Sequence, residues 1–365
     1  MYNYLNVHML KNLPLSRPNA DDSGKQKETI FGGMPRSRIS SQCLKRNIRD
    51  YWSNHFDAEI LYRYLGKRTK YVKNLIVEKT KSFAKDEKQQ EDIAEVIIKK
   101  FFDKKYPVKD KKTGEEFVHY LVQTSDSELD NILEHVKTCL ENGIELKKIS
   151  WKEFKDIGRT VDVAMFGRMQ ASAKDHEVYA SVQVAHAVAV NSLSDEFDYF
   201  SAVDDFKEDN DISGAGHLGS LSCNSSCYYM YYNICVPKLM ENIGGDAEFA
   251  AEAVGEIIKA FAFSDLSGKQ NSFAHNTLPE LIMVEAHNGQ SVNLVNAFER
   301  PVSPYANKSL TDISVERLLE HKKGLVDMYG ELMPSGPVFI SSTKEVDGKI
   351  PFDKLCKEVV DLLKK

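Results

Sequence analysis

Polar and apolar residues alternate over residues 3–11. Asn3, Leu5, Val7 and Met9 fall on one side and Tyr4, Asn6, His8 and Leu10 on the other, a period of two that predicts a first strand. From Pro14 to Lys27 the pattern dissolves into Pro, Asn, Asp and Gly, the composition of a loop, and Phe31-Gly32-Gly33 punctuates the chain just beyond it. Ser40 or Ser41 then caps a helix whose apolar stripe is Leu44, Ile48, Tyr51 and Trp52. Between about 57 and 160 the texture changes to Lys/Glu-rich amphipathic helices. Ile93, Val96, Ile97 and Phe101 make one stripe, and Leu129, Ile132, Leu133, Val136 and Leu140 make another that ends at Gly143, so this block reads as a helical insertion. Val and Ala alternate from Ala180 to Val190 and predict a returning strand. Residues 195–219, rich in Gly and Asp, read as an excursion that leaves the core and comes back. Further on, the pattern predicts a Tyr-rich strand at Ser226–Val236, a helix from an Asp246 cap to Phe263, strands at Leu281–Ala286 and Val338–Ser342, and a helix over Phe352–Leu363. Strands and helices mixed in this way, with helices segregated in one block, predict an α+β fold.

At 365 residues, 42% hydrophobic and 28% charged, the chain can bury a sizeable core, in two to three domains or one large domain with insertions. Its longest uncharged runs, Val178–Ser194 and Ile212–Pro237, are full of Ser, Asn, Gln, His and Gly, which hydrocarbon would reject. The N-terminus lacks a basic segment followed by an apolar one. The expectation is therefore a soluble, cytoplasmic protein with no membrane partner. Cys43, Cys139, Cys223, Cys227, Cys235 and Cys356 are scattered, and no second Cys or His pair stands near the C-x3-C of Cys223 and Cys227. Reduced structural thiols, with no metal and no cofactor, are expected.

Charge changes the picture locally. The whole chain is acidic, with 48 basic and 54 acidic residues and a net charge of −6, unlike a simple nucleic-acid binder. Yet Lys25, Lys27, Arg36, Arg38, Lys45, Arg46 and Arg49 stand against Glu28 alone over residues 25–49. Lys45 and Arg49 are one helical turn apart, and Ser40, Ser41 and Gln42 open the same helix, where backbone N–H groups are free. A phosphate backbone needs that combination of fixed N–H donors, short polar side chains and long cations one turn further in, with a Gly-Gly loop beside it. The alternative is a solvated basic face. Ser-Gly-Lys-Gln occurs twice, at 23–26 and 267–270, but neither copy completes a P-loop, so each is either a phosphate-approaching loop or an ordinary turn. Asp21-Asp22 and Asp204-Asp205 lie in loops without a His or Glu partner nearby and read as solvated carboxylates. His186, inside an expected strand, reads as a satisfied core histidine. Tyr199-Phe200, and Phe166 and Met169 flanking Gly167-Arg168, are apolar tips that either stack on bases or close a local mini-core.

Phe31-Gly32-Gly33, Arg36, Arg38, Ser40-Ser41-Gln42, Leu44-Lys45-Arg46 and Arg49 resemble the CasC-type backbone subunit of CRISPR Cascade, subtype I-E. The likeness continues, in the family's order, at Gly167-Arg168-Met169, Ala185-His186-Ala187, Phe200 to Asp205, Gly216-His217-Leu218-Gly219, Gly268-Lys269-Gln270 and Asn296-Ala297-Phe298-Glu299. It is weakest over 57–160. The resemblance implies a hand-shaped protein with an RRM-like (ferredoxin-like) palm sheet over 1–56, 181–194 and 220–365, a helical fingers insertion over 57–180 and a thumb excursion over 195–219. It implies a non-catalytic, CRISPR RNA-binding subunit that polymerises head to tail with further copies of itself beside other Cascade subunits. The guide spacer is thereby presented for pairing with target DNA in antiviral defence. By position, Lys27, Ser40, Gln42, Lys45, Arg46 and Arg49 hold RNA backbone, joined by Arg168 and Lys269, while Met169 packs at an RNA kink and Phe200 is the thumb wedge. Where the family usually has Asn-Arg-Asp-Asp this chain has Asn19-Ala20-Asp21-Asp22, with Arg17 as the candidate substitute.

The rival reading is an enzyme, a type III-like backbone subunit in which Asp21 or Asp22 cuts target RNA with a divalent metal. Eight acids against Lys207 over residues 195–211 make the thumb strongly acidic, so it is expected to face the basic 25–49 segment of a neighbouring copy.

Overall fold

The computed structural model describes residues 2–151, 158–169, 176–202, 217–303 and 308–365. The chain forms two compact units. One comprises residues 1–51, 184–234 and 254–365, and the other 52–183 and 235–253.

The chain opens with β1 (Tyr4–Ser16), β2 (Glu28–Phe31), β3 (Met34–Ile39) and α1 (Ser41–His55). There follow α2 (Ala58–Tyr64), β4 (Lys67–Thr69), α3 (Val72–Thr80), α4 (Glu87–Phe101), β5 (Val108–Lys109), β6 (Glu116–Phe117), β7 (Val122–Thr124), α5 (Asp126–Glu141) and α6 (Val161–Phe166). The remainder is β8 (Val182–Val184), β9 (Ala187–Ala189), β10 (Glu196–Ala202), β11 (His217–Cys235), α7 (Val236–Asn242), α8 (Ala247–Phe263), α9 (Gln270–Phe273), β12 (Leu281–His287), α10 (Leu310–Tyr329), β13 (Val338–Ser342) and α11 (Phe352–Leu363).

The first unit is built on one large sheet. Its strands run β13-β12-β1-β11-β9-β3-β2, with β10 pairing along β11. Antiparallel registers fix it: Val7 faces Val284, Met283 faces Ile340 and Arg38 faces Val188. Alternation in β1 leaves Leu5, Val7 and Met9 buried on one face, while Leu10 joins Tyr229, Leu281, Met283, Phe298, Val315 and Leu318 in a cluster on the other. Each such aliphatic side chain contributes roughly 1.5–3 kcal/mol when fully buried. The mixed α+β class read from the sequence is what forms.

The second unit is mostly helical. Val72 and Ile76 of α3, Ile93, Ile97 and Phe101 of α4, and Leu129, Ile132 and Val136 of α5 close a single core, so the stripes spaced by three and four are its buried faces. The Ser125 hydroxyl accepts from the Glu128 N–H at 3.0 Å and the Glu128 carboxylate accepts from the Ser125 N–H, a reciprocal cap that starts α5.

Two local expectations change. The single strand expected over Ala180–Val190 breaks into β8 and β9 on either side of Ala185-His186. The excursion at 195–219 begins and ends as the paired strands β10 and β11, Phe200 facing Gly219. Asp204, Asp205, Gly216 and most of the acidic segment lie outside the described residues. No helix among the described residues is long and apolar enough to cross a membrane.

Candidate nucleic-acid interface

The start of α1 is the organising point. Ser40 is the helix cap: its Oγ accepts from the Cys43 N–H at 3.3 Å, and its own N–H donates to Asn19 Oδ1 at 2.8 Å. The hydroxyl is therefore turned into the helix, and what Ser40 offers a ligand is a fixed helix start. Gln42 and Arg46 are exposed, Lys45 and Arg49 half-buried, while Leu44 and Ile48 on the opposite flank enter the core. Arg46 Nε pairs with Asp50 at 2.8 Å, an exposed contact between successive turns worth about 0.3–0.5 kcal/mol, which a phosphate displaces readily.

Two loops close on this helix from distant sequence. Residues 17–27 fold back on themselves: the Lys27 N–H donates to the Asn19 carbonyl at 2.8 Å, Gln26 Nε2 to the Arg38 carbonyl at 3.0 Å, and Arg17 to the Gly24 carbonyl. The second loop, 267–270, lies against the first. A Cβ on Gly268 would stand 2.3 Å from the Pro18 carbonyl oxygen, so glycine is required for that approach, and Ser267 Oγ donates to Asn47 Oδ1 of α1 at 3.2 Å. Lys269 follows, exposed, with a left-handed φ of 57°. Lys27, Gln42, Lys45, Arg46 and Lys269 thus come from three segments gathered about one helix start.

Asp21 is engaged within its own loop. It accepts from the Ser23 hydroxyl at 2.7 Å and from the Ser23 and Lys25 N–H groups at 2.9 and 3.1 Å, and these bonds, the hydroxyl's foremost, hold its carboxyl below the usual range. Among the described residues, no three His, Cys, Asp or Glu side chains gather as a metal-holding group.

The readings of Arg36, Gly32 and His186 change. Arg36 is 0% exposed, its guanidinium donating to the carbonyls of Ala189, Val190, Phe298 and Glu299 at 2.9–3.0 Å, so it clips β3 to the 296–299 turn and meets no ligand. Gly32 serves the same turn, since a Cβ there would lie 1.8 Å from the Glu299 carbonyl oxygen. His186, expected in the core, is exposed, and Arg38 donates to its Nδ1 at 2.7 Å. Sequence reasoning left Arg38 and His186 out of the site. The signal was register: Arg38 faces Val188, and His186, two residues before Val188, falls on the same side within reach of a long side chain.

In the second unit Arg168 is buried. It donates to both Glu128 oxygens at 2.7 and 2.8 Å, to the Gln123 carbonyl at 3.1 Å, and to the His176 carbonyl. Its guanidinium is surrounded by protein and cannot meet a phosphate directly. It fixes the strand-like pairing of Arg168 with Val178 from which Met169 projects, 86% exposed. Phe200, on β10 of the first unit, is 47% exposed and lies across Gly219, where a Cβ would stand 2.3 Å from the ring. Phe197 and Tyr199 on the same strand are also exposed.

A family model described as CT1975-like protein matches residues 5–359. A solved chain titled "CRISPR RNA-guided surveillance complex, pre-nicking" is 25% identical, with a TM-score of 0.81 over 98% of this chain and 99% of that one. Another, titled "CRISPR RNA-guided surveillance complex", is 23% identical, with a TM-score of 0.62 over 98% and 99%, and shares the fold. No curated protein matches.

Proposed function

The chain belongs to the CT1975-like protein family, and we propose that it is a non-catalytic backbone subunit of a Cascade-type surveillance complex, subtype I-E, that lies along CRISPR RNA. One observation carries the reading: cations and an amide from three segments converge on the start of α1, offering phosphates a fixed grip. Phosphate contacts position RNA without reading it, which suits a guide whose sequence is read by pairing with target DNA. The likeness to a chain of an RNA-guided surveillance complex supports the same conclusion.

In this reading the sheet is an RRM-like (ferredoxin-like) palm, supported by the order β12-β1-β11-β9 with α1 after β1 and α8 before β12. The helical second unit supplies the fingers, and the excursion on β10 and β11 is the thumb. Lys27, Gln42, Lys45, Arg46, Arg49 and Lys269 grip the backbone of the guide, and Ser40 presents the helix start. Met169 packs at a kinked step with Arg168 as its support, and Phe200 wedges beneath a neighbouring copy. Copies add head to tail, a heterologous contact that does not close on itself and so extends along the RNA. Asp21, held by its own turn, supports a non-catalytic role. Purification through a tag on this chain tests the proposal. RNA of uniform length recovered together with other Cascade subunits is expected, and a chain free of RNA and partners would refute it.

A further inference from the structure

Arg38 and His186 form a pair that the grip described above does not use. An arginine N–H can only donate, so the 2.7 Å contact makes His186 Nδ1 the acceptor and leaves the ring hydrogen on Nε2. His186 is exposed and stands one residue before β9, beside the same cationic edge as the candidate grip. Two charged groups bear on it, Lys27 from the loop before β2 and Arg38 from β3, and both are cations. Partial desolvation of the ring first, then the charges of Arg38 and Lys27, hold the imidazole below its ordinary pKa and favour its neutral form. Arg38 is itself steadied from the other side, its Nε donating to the Glu28 carbonyl at 3.3 Å. A neutral N–H donor on which two cations bear offers nothing to another cation and favours an anion.

We propose that His186 and Arg38 bind a phosphate of single-stranded RNA, and that His186 takes up a proton when they do. The step balances simply. The phosphate oxygen draws the Arg38 guanidinium away from Nδ1 and accepts the Nε2–H. The vacated Nδ1 then takes one proton from solvent, and imidazolium, guanidinium and phosphate are left as one compact ion group. Lys27, beside them, ties this contact to the grip on α1. The inference rests on the RNA-holding reading and adds to it a proton-linked contact.

The test is the affinity of the full chain for a fluorescein-labelled single-stranded RNA between about pH 6 and about pH 7.5 at fixed ionic strength, with His186→Gln beside the wild type. Wild-type affinity should rise as pH falls, by at most about tenfold per pH unit, the limit for one proton. The Gln variant keeps a neutral donor, so it should bind within a few-fold of wild type at the upper pH and lose most of the slope. Ring nitrogen NMR shifts of His186 should move to the imidazolium position when RNA is added near neutral pH. RNA binding with the same slope in both proteins, or a ring that stays neutral in the complex, overturns the inference and leaves the RNA-holding reading standing. No RNA binding by either protein at any pH overturns that reading itself.

Discussion

Replacing Arg36 with Ala takes a buried donor away from four backbone carbonyls, those of Ala189 and Val190 and those of Phe298 and Glu299 in the facing turn, so this residue belongs to stability. A loss of about 3 kcal/mol or more is expected in denaturant unfolding, with the salt dependence of RNA binding unchanged. Lys45→Ala and Arg49→Ala should do the reverse, weakening RNA of every sequence alike and lowering the log–log salt slope by roughly 0.7 per lost contact. Sequence alone cannot separate these arginines and lysines, because a basic run reads the same whether its members reach carbonyls or solvent. Register along β3 and β9 decides, and it is a property of the paired strands. A further prediction concerns His275 and His287, both buried, which burial holds below their ordinary pKa. The unfolded chain, with histidines near about pH 6.5, then binds more protons in acid. Their contribution is complete above that pH and lost as pH falls through the lowered native values. Unfolding free energies at about pH 7.5 and about pH 5.5 should differ in that sense.

Arg168 shows how an element can be held by a residue that reads as a ligand. Glu128 caps α5 and accepts from Arg168 with both side chains 3–4% exposed, so Arg168→Ala leaves a carboxylate buried without its cation. A loss of about 3–5 kcal/mol is expected in unfolding of the free subunit, with any RNA defect arising from it. The β10–β11 pair makes the opposite prediction. Phe200 lies half-exposed over Gly219, so Phe200→Ala should leave the melting temperature of the free subunit nearly unchanged and weaken RNA binding by about 1–3 kcal/mol for one stacked base. Gly219→Ala, which pushes the ring aside, should reproduce part of that loss. Elements with a cap or a clear stripe were legible: Asp246 accepts from the Phe249 N–H at 2.9 Å and starts α8, and α11 spans Phe352–Leu363 as its apolar pattern says. The 20-residue α10 was not, because its buried face carries Thr311 and Ser314 beside Val315 and Leu318 and shows little hydrophobic contrast. The approach of 267–270 to α1 was equally invisible, since nothing local in a Ser-Gly-Lys-Gln turn says which helix it meets.

At the scale of the whole molecule, a chain of net charge −6 gathers Lys27, Lys45, Arg46 and Lys269 at one helix start, so the proposed affinity for RNA is local and should be salt-dependent. If the acids that the sequence places between 195 and 211 meet a neighbour's basic surface, as the head-to-tail proposal holds, high salt should release subunits as well as RNA. The central claim is that copies of this chain assemble along an RNA without reading its sequence. Native mass spectrometry of the full chain on single-stranded RNAs of increasing length tests it most directly. The account predicts complexes whose mass rises in equal steps of one 41.4 kDa chain as the RNA lengthens, with the same steps for unrelated sequences. A single bound copy at every length, or steps that depend on sequence, would contradict it.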